Sequence, residues 1–168
     1  VENNQDAEFI RKAFPRRDVF VSNSSGLVES GFARTSSRAK NKKITFGYLA
    51  RFDHSKLTQN ILETSKKLPP DRHIIIAGDD ISGNFFSKQF EELARQKTNV
   101  SFVGYLKEKK QITDFYNSID TLLYPTKREG LPMTLLEAIA HRTDFITSDV
   151  PGANKLAREF SREMWPEE

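Results

Sequence analysis

His73-Ile74-Ile75-Ile76-Ala77-Gly78 decides the fold. Three consecutive isoleucines leave no polar side for water, so the run reads as a strand buried on both faces, the kind found in parallel sheets covered by helices. Outward from it, further strand-sized runs stand at residues 44–50, 100–103, 121–124 and 145–148. Between them, apolar residues recur at helical spacing over 55–68, 85–96, 109–118 and 132–141. Strands separated by helices imply right-handed crossovers. The expected fold is α/β, a single Rossmann-like, doubly wound parallel sheet with helices on both faces.

At 168 residues the chain has room for one domain with a real core and hardly for two. Residues 43–160 are assigned to that domain, 1–42 to a linker or edge segment and 161–168 to a polar tail. Within the first segment, residues 7–14 read as a helical turn or two ended by Pro15, and 19–21 as a short strand. Residues 22–41 are rich in Ser, Gly, Ala, Arg and Lys without any period, as in a linker or a loose edge. The start at Val1 and the charged end fit a processed or excised piece of something longer.

The formal net charge is +3, and its placement matters more than its size. Residues 1–43 carry nine Lys or Arg against five Asp or Glu, and the other 125 residues carry seventeen against eighteen. The body is nearly neutral, which disfavours a nucleic-acid module. Apolar runs are far shorter than the roughly 20 residues of a membrane-spanning helix, and the acidic N-terminus does not read as a secretory signal. Absence of cysteine excludes disulfides, a Cys metal site and a thiol nucleophile. Cytoplasm is the default compartment, with any membrane association left to a part this chain lacks.

A doubly wound sheet binds ligands outside the carboxyl ends of its strands, where strand order reverses. One such end is Tyr124-Pro125-Thr126-Lys127-Arg128-Glu129-Gly130-Leu131-Pro132. It leaves a strand, turns, and opens a helix at Pro132, a residue suited to the first helical position. The amides of Gly130 and of the following turn (Leu131, Met133, Thr134) are then placed to bind an anion. Thr134, Glu137 and His141 share one helical face, and Glu137 leans back toward the amides. Carboxylates beside an anion site make sense as acceptors for sugar or ribose hydroxyls. The plainer alternative is that Glu129 is a solvated loop residue and Glu137 a helix-surface charge.

Arg51 and Lys56 straddle the turn after the first strand and can reach a diphosphate, Arg as a fork and Lys as a point charge. Taken alone, an ordinary exposed basic pair fits as well. Lys127, Arg128 and Arg142 stand near the same edge as weaker candidates. His54 sits between Arg51 and Lys56, whereas His73 and His141 read as structural or solvated. Tyr105 follows Gly104 and is placed either to stack on a base or to pack locally. No histidine pair has metal-ligand spacing and no hard-cation cluster is visible, so no metal and no cofactor are expected. Neither a GxGxxG nor a Walker loop occurs.

Glu129-Gly130-Leu131-Pro132-Met133-Thr134-Leu135-Leu136-Glu137-Ala138-Ile139-Ala140 resembles, nearly position by position, the signature of the retaining GT-B glycosyltransferases of family 4 (glycosyl transferases group 1). The match is to their C-terminal, donor-binding domain and covers roughly residues 43–152. Supporting segments stand in the same order: Gly47-Tyr48-Leu49-Ala50-Arg51 with Lys56, Ile76-Ala77-Gly78-Asp79, Asn99 through Tyr105, and Asp120 through Thr126.

The resemblance implies that Arg51 and Lys56 hold the donor diphosphate, Glu129 contacts the transferred sugar and Glu137 the ribose. It places the amides of Gly130 to Met133 on phosphates and sugar, and Tyr105 at the base. It further implies a UDP-sugar donor as substrate, no metal, and a glycan or lipid-linked acceptor bound by a missing N-terminal domain. Departures stand out at Leu57, Arg142 and Ala153, where the family often has glycine, and at Asp144, where it usually has proline. A competing reading is a non-catalytic Rossmann-like module for a nucleotide or a protein.

Overall fold

The computed structural model describes residues 4–15, 18–19 and 43–164. Helix α1 (Asn4–Ala13) comes first, followed by five strand-helix units: β1 (Ile44–Leu49), α2 (Thr58–Lys66), β2 (Arg72–Ala77), α3 (Phe85–Gln96), β3 (Val100–Gly104), α4 (Lys109–Ser118), β4 (Thr121–Tyr124), α5 (Met133–Ala140), β5 (Asp144–Thr147) and α6 (Pro151–Met164). All strands pair parallel in one sheet of order β3-β2-β1-β4-β5. The order reverses between β1 and β4, and the crevice that such a reversal opens lies beyond their carboxyl ends.

The isoleucine run divides between two cores, as period-two geometry requires. Ile74 and Ile76 face one way, with Tyr48, Phe52, Ile61, Leu62, Phe86 and Phe90 under α2 and α3. Ile75 and Ala77 face the other, with Phe115, Tyr116, Leu122, Tyr124 and Leu135 under α4, α5 and α6. The expected sheet with helices on both faces is therefore the observed one.

Every predicted strand and every helix of the body is present, with ends displaced by at most a few residues. The helix expected from residue 7 starts at Asn4. Helix α6 was not foreseen, and it continues past residue 160, where a polar tail was expected. Pro151 preorganises its first turn, and Ala, Lys, Arg, Glu and Met then favour helix. The linker at 22–41, most of the strand expected at 19–21 and residues 165–168 lie outside the described residues.

Besides Asn84 before α3 (φ 66°), two non-glycine residues among those described adopt a left-handed backbone beside helix ends: Leu57 before α2 (φ 49°) and Arg142 after α5 (φ 53°). A Cβ in that region costs about 1–2 kcal/mol. The glycines that the resembled family often carries at these positions thus have a backbone reason. No helix among the described residues is long and apolar enough to cross a membrane.

Candidate functional site at the β1/β4 crevice

The turn from β1 into α2 is built around Asp53. Its Oδ1 accepts from the amide of Ser55 at 2.7 Å, the hydroxyl of Ser55 at 2.6 Å and the amide of Lys56 at 3.0 Å. Burial alone would raise the Asp53 carboxyl, but the bonds from Ser55, Arg51 and the Lys56 amide outweigh it and bring the pKa to about 2. Thr58 closes the turn by donating to the Asp53 carbonyl at 3.0 Å while its oxygen accepts the Asp53 amide at 3.1 Å. The buried Tyr48 hydroxyl braces it from the core, donating to the Lys56 carbonyl at 3.1 Å.

Two cations leave this turn. Arg51 donates Nε to Asp53 Oδ2 at 2.8 Å, and its side chain stays 57% exposed. That bond occupies one of five guanidinium donors, and an exposed pair contributes at most about 1 kcal/mol, so the fork remains available to an anion. Lys56 turns across the crevice, where Nζ pairs with Glu129 Oε2 and donates to the Tyr124 hydroxyl at 2.9 Å. The side chains of Lys56 and Glu129 are only 17% and 14% exposed. This pair is the better shielded, and removing one partner of such a pair costs far more than at the surface.

Glu129 is held by the loop that follows β4. The Lys127 amide donates to the Ser55 carbonyl at 2.8 Å, and Thr126 Oγ1 donates to the Arg128 carbonyl at 2.9 Å while lying 3.3 Å from that of Ser55. The two walls of the crevice are thereby stitched together. Helix α6 supports the same loop from behind. A Cβ on Gly152 would lie 2.4 Å from the Gly130 carbonyl oxygen and 2.6 Å from that of Glu129, so only glycine allows this approach. Gly78 is a second enforced glycine, since a Cβ there would lie 1.9 Å from the Ala50 carbonyl oxygen. Its amide donates to the Gly104 carbonyl at 2.9 Å, which ties the ends of β2 and β3 together.

Helix α5 opens one residue later than expected, with Pro132 preceding its first turn instead of standing in it. The first bonds onto the Pro132 carbonyl come from Leu135 and Leu136, so the amides of Met133 and Thr134 have no carbonyl partner within the helix. Met133 is exposed, Leu131, Gly130 and Thr134 are half-buried, and Pro132 is buried. One turn on, Glu137 accepts a hydrogen bond from the Tyr116 hydroxyl at 2.9 Å. Burial raises the Glu137 carboxyl above the usual range, while the Tyr116 bond and the nearby His141 act against that rise.

Along the carboxyl edge the candidates follow strand order: Tyr105 beyond β3, Gly78 beyond β2, Arg51 and Lys56 beyond β1, Glu129 beyond β4. Tyr105 is 58% exposed and two strand spacings from β1, about 10 Å. It makes no direct contact with the central group among the described residues. His54 is exposed, its ring set edge-on to Phe86 at 6.2 Å. His141 is buried, stacked on Tyr116 with ring centroids 4.7 Å apart. Arg142 precedes β5 and so lies at the amino end of the sheet, which removes it from the candidates. Its helix runs antiparallel to the strands, so a residue at the helix end cannot share their carboxyl edge.

Asp53, Tyr116 and Tyr124 were missed from the sequence. Asp53 had a usable signal, since an Asp two and three residues before free amides is the pattern of a side-chain-capped turn. The tyrosines had none, because their partners come from other elements. A cavity of about 320 Å³ lies between α2 and β4–β5, lined by Asn60, Ile61, Leu123, Ile146 and neighbours. It is lined by no charged side chain, and none of Arg51, Lys56, Glu129 and Glu137 borders it.

Comparisons with known proteins bear on the fold and the family. EpsF of Bacillus subtilis (strain 168), described as a glycosyltransferase, is 28% identical over 136 residues, which are 79% of this chain and 33% of EpsF. The chain thus spans about a third of that relative's length. A variant of Staphylococcus aureus TarM, in complex with Fondaparinux, alpha-GlcNAc-glycerol and UDP, superposes with a TM-score of 0.68 at 16% identity, covering 92% of this chain and 30% of TarM. The C-terminal domain of the group 1 family protein LpcC from Francisella tularensis gives a TM-score of 0.54 at 22% identity, covering 75% of this chain and 62% of that domain. These structures establish the shared GT-B-type α/β fold. The sequence model of the family described as Glycosyl transferases group 1 matches residues 29–165, and with most of its length so matched the chain belongs to that family.

Proposed function

We propose that this chain is the donor-binding domain of a retaining glycosyltransferase that transfers a sugar from a nucleotide sugar, of uridine type, to an acceptor held by another domain. The observation that carries the proposal is the meeting of Lys56 and Glu129 across the β1/β4 crevice, with Arg51 fastened to the same turn through Asp53. Cations on one wall suit a diphosphate, and a carboxylate opposite suits the hydroxyls of the sugar. In this reading Arg51 and Lys56 stabilise the charge that develops on the departing nucleotide, without a metal. The amides of Gly130 to Met133 bind phosphate and sugar, Glu137 takes the ribose hydroxyls and Tyr105 approaches the base.

UDP in the TarM complex supports the uridine assignment. Coverage of only a third of EpsF supports an acceptor site supplied elsewhere in the protein. Transfer requires the acceptor within reacting distance and water excluded, both of which depend on a cleft closed from two sides. The isolated chain is therefore expected to bind donor and not to transfer sugar at a useful rate. Incubation with nucleotide sugars and a mixture of acceptors, with nucleotide release followed beside direct binding, tests this. Robust transfer by the chain alone contradicts the half-enzyme reading, and binding of no nucleotide contradicts donor binding.

A further inference from the structure

We infer that Tyr124 is a positioning residue that locks Lys56 and Glu129 into a single unit at the donor site. The inference rests on the donor-binding reading above. Tyr124 ends β4 with its ring in the core beneath α4, α5 and α6, 3% exposed, while its hydroxyl emerges into the crevice. There it accepts a hydrogen bond from Lys56 Nζ at 2.9 Å and donates its own proton to Glu129 Oε2. The Lys56 ammonium also lies 5.0 Å from the centre of the Tyr124 ring.

A phenol has one proton to give, and here the carboxylate takes it, so the lone pairs are left to face the ammonium. Burial, followed by the hydrogen bond and charge of Glu129, pushes the phenol further from ionisation. The polarity of the bridge is thus set. Its ring belongs to the sheet and does not follow a ligand, whereas Lys56 and Glu129 stand on separate loops. When a diphosphate draws on Lys56, the hydroxyl keeps Nζ at the crevice and keeps Glu129 turned toward the same point. The hydroxyl's contribution then exists only while its two partners are present. A merely structural tyrosine has no such dependence.

Tyr124→Phe, Lys56→Met, Glu129→Gln and the two doubles that include Tyr124→Phe separate these cases. UDP and uridine are titrated into the full chain by calorimetry, with the melting temperature of each variant recorded. The expected result is a loss of UDP affinity of about tenfold for Tyr124→Phe. Uridine affinity is unchanged, and the effect largely vanishes in the Lys56→Met and Glu129→Gln backgrounds. Losses that simply add in both backgrounds, or an equal loss for uridine, overturn the inference while UDP binding itself stands. A parent chain that binds neither probe overturns the donor reading and the inference together.

Discussion

The hydroxyl of Tyr116, on α4, donates to Oε2 of Glu137, on α5, at 2.9 Å. The same hydroxyl lies 3.0 Å from the Thr134 carbonyl. The carboxylate is therefore anchored through Oε2, and the proposed role of Glu137 assigns its other oxygen to the ribose hydroxyls. Glu137→Ala is predicted to weaken binding of a nucleoside diphosphate by about 1–3 kcal/mol, the range for leaving buried polar groups unpaired. Tyr116→Phe should cost less, because it loosens the carboxylate without deleting it. Calorimetry that finds unchanged affinity for Glu137→Ala, with the fold intact, removes Glu137 from the site.

Acid stability carries the signatures of Asp53 and Glu137 with opposite sign. Asp53 falls from 3.8 to about 2 in the fold, so between those values the unfolded chain binds more protons and the folded state gains stability as pH rises. Its contribution is present above pH 3.8 and lost as pH falls toward 2. Glu137 is raised above its ordinary 4.5, chiefly by burial, so the folded state binds the extra proton and stability falls as pH rises from 4.5 upward. Urea denaturation across this range should show the Asp53→Asn deficit growing with pH from 2 to 3.8, and Glu137→Gln gaining on the parent above 4.5. Differences that are flat with pH contradict both assignments.

Arg142→Gly should stabilise the chain by about 1 kcal/mol. Arg142 is exposed and follows α5 at φ 53°, where glycine carries no Cβ strain. Arg142→Ala is the control, since alanine removes the side chain and keeps the strain. Equal stability changes for the two variants contradict the backbone explanation.

How much of this was legible in the sequence follows from the range of each interaction. Ile74 to Ile76 report burial on two faces through their own chemistry, and the Glu129 to Glu137 segment carries its turn, helix start and carboxylates within one stretch. Those features were readable because a short window contains them. Tyr124 meets Lys56 across 68 positions, and Tyr116 meets Glu137 across 21. No local pattern encodes such pairings. Arg142 reads as near the carboxyl edge from its place in the sequence, but α5 runs back along the sheet and delivers it to the amino end. Leu57 was visible as a departure from glycine, but its left-handed backbone appears only in the fold.

Gly152→Ala tests whether α6 props the loop that carries Glu129. The new methyl would meet the carbonyl oxygens of Gly130 and Glu129, and overpacking of this kind costs about 1–3 kcal/mol. Nucleotide affinity should fall together with stability, because the backbone that must move carries amides proposed to bind phosphate. Stability lost with affinity intact would show that the Glu129 loop does not depend on α6.

The proposed donor site requires that Arg51 and Lys56 act on phosphate. Isothermal titration of UDP and of uridine into the purified chain, alongside its Arg51→Ala/Lys56→Ala double variant, measures this directly. The parent is expected to bind UDP more tightly than uridine, and the double substitution to remove most of that advantage while leaving uridine affinity nearly unchanged. Equal losses for both ligands, or a parent chain indifferent to the diphosphate, would contradict it.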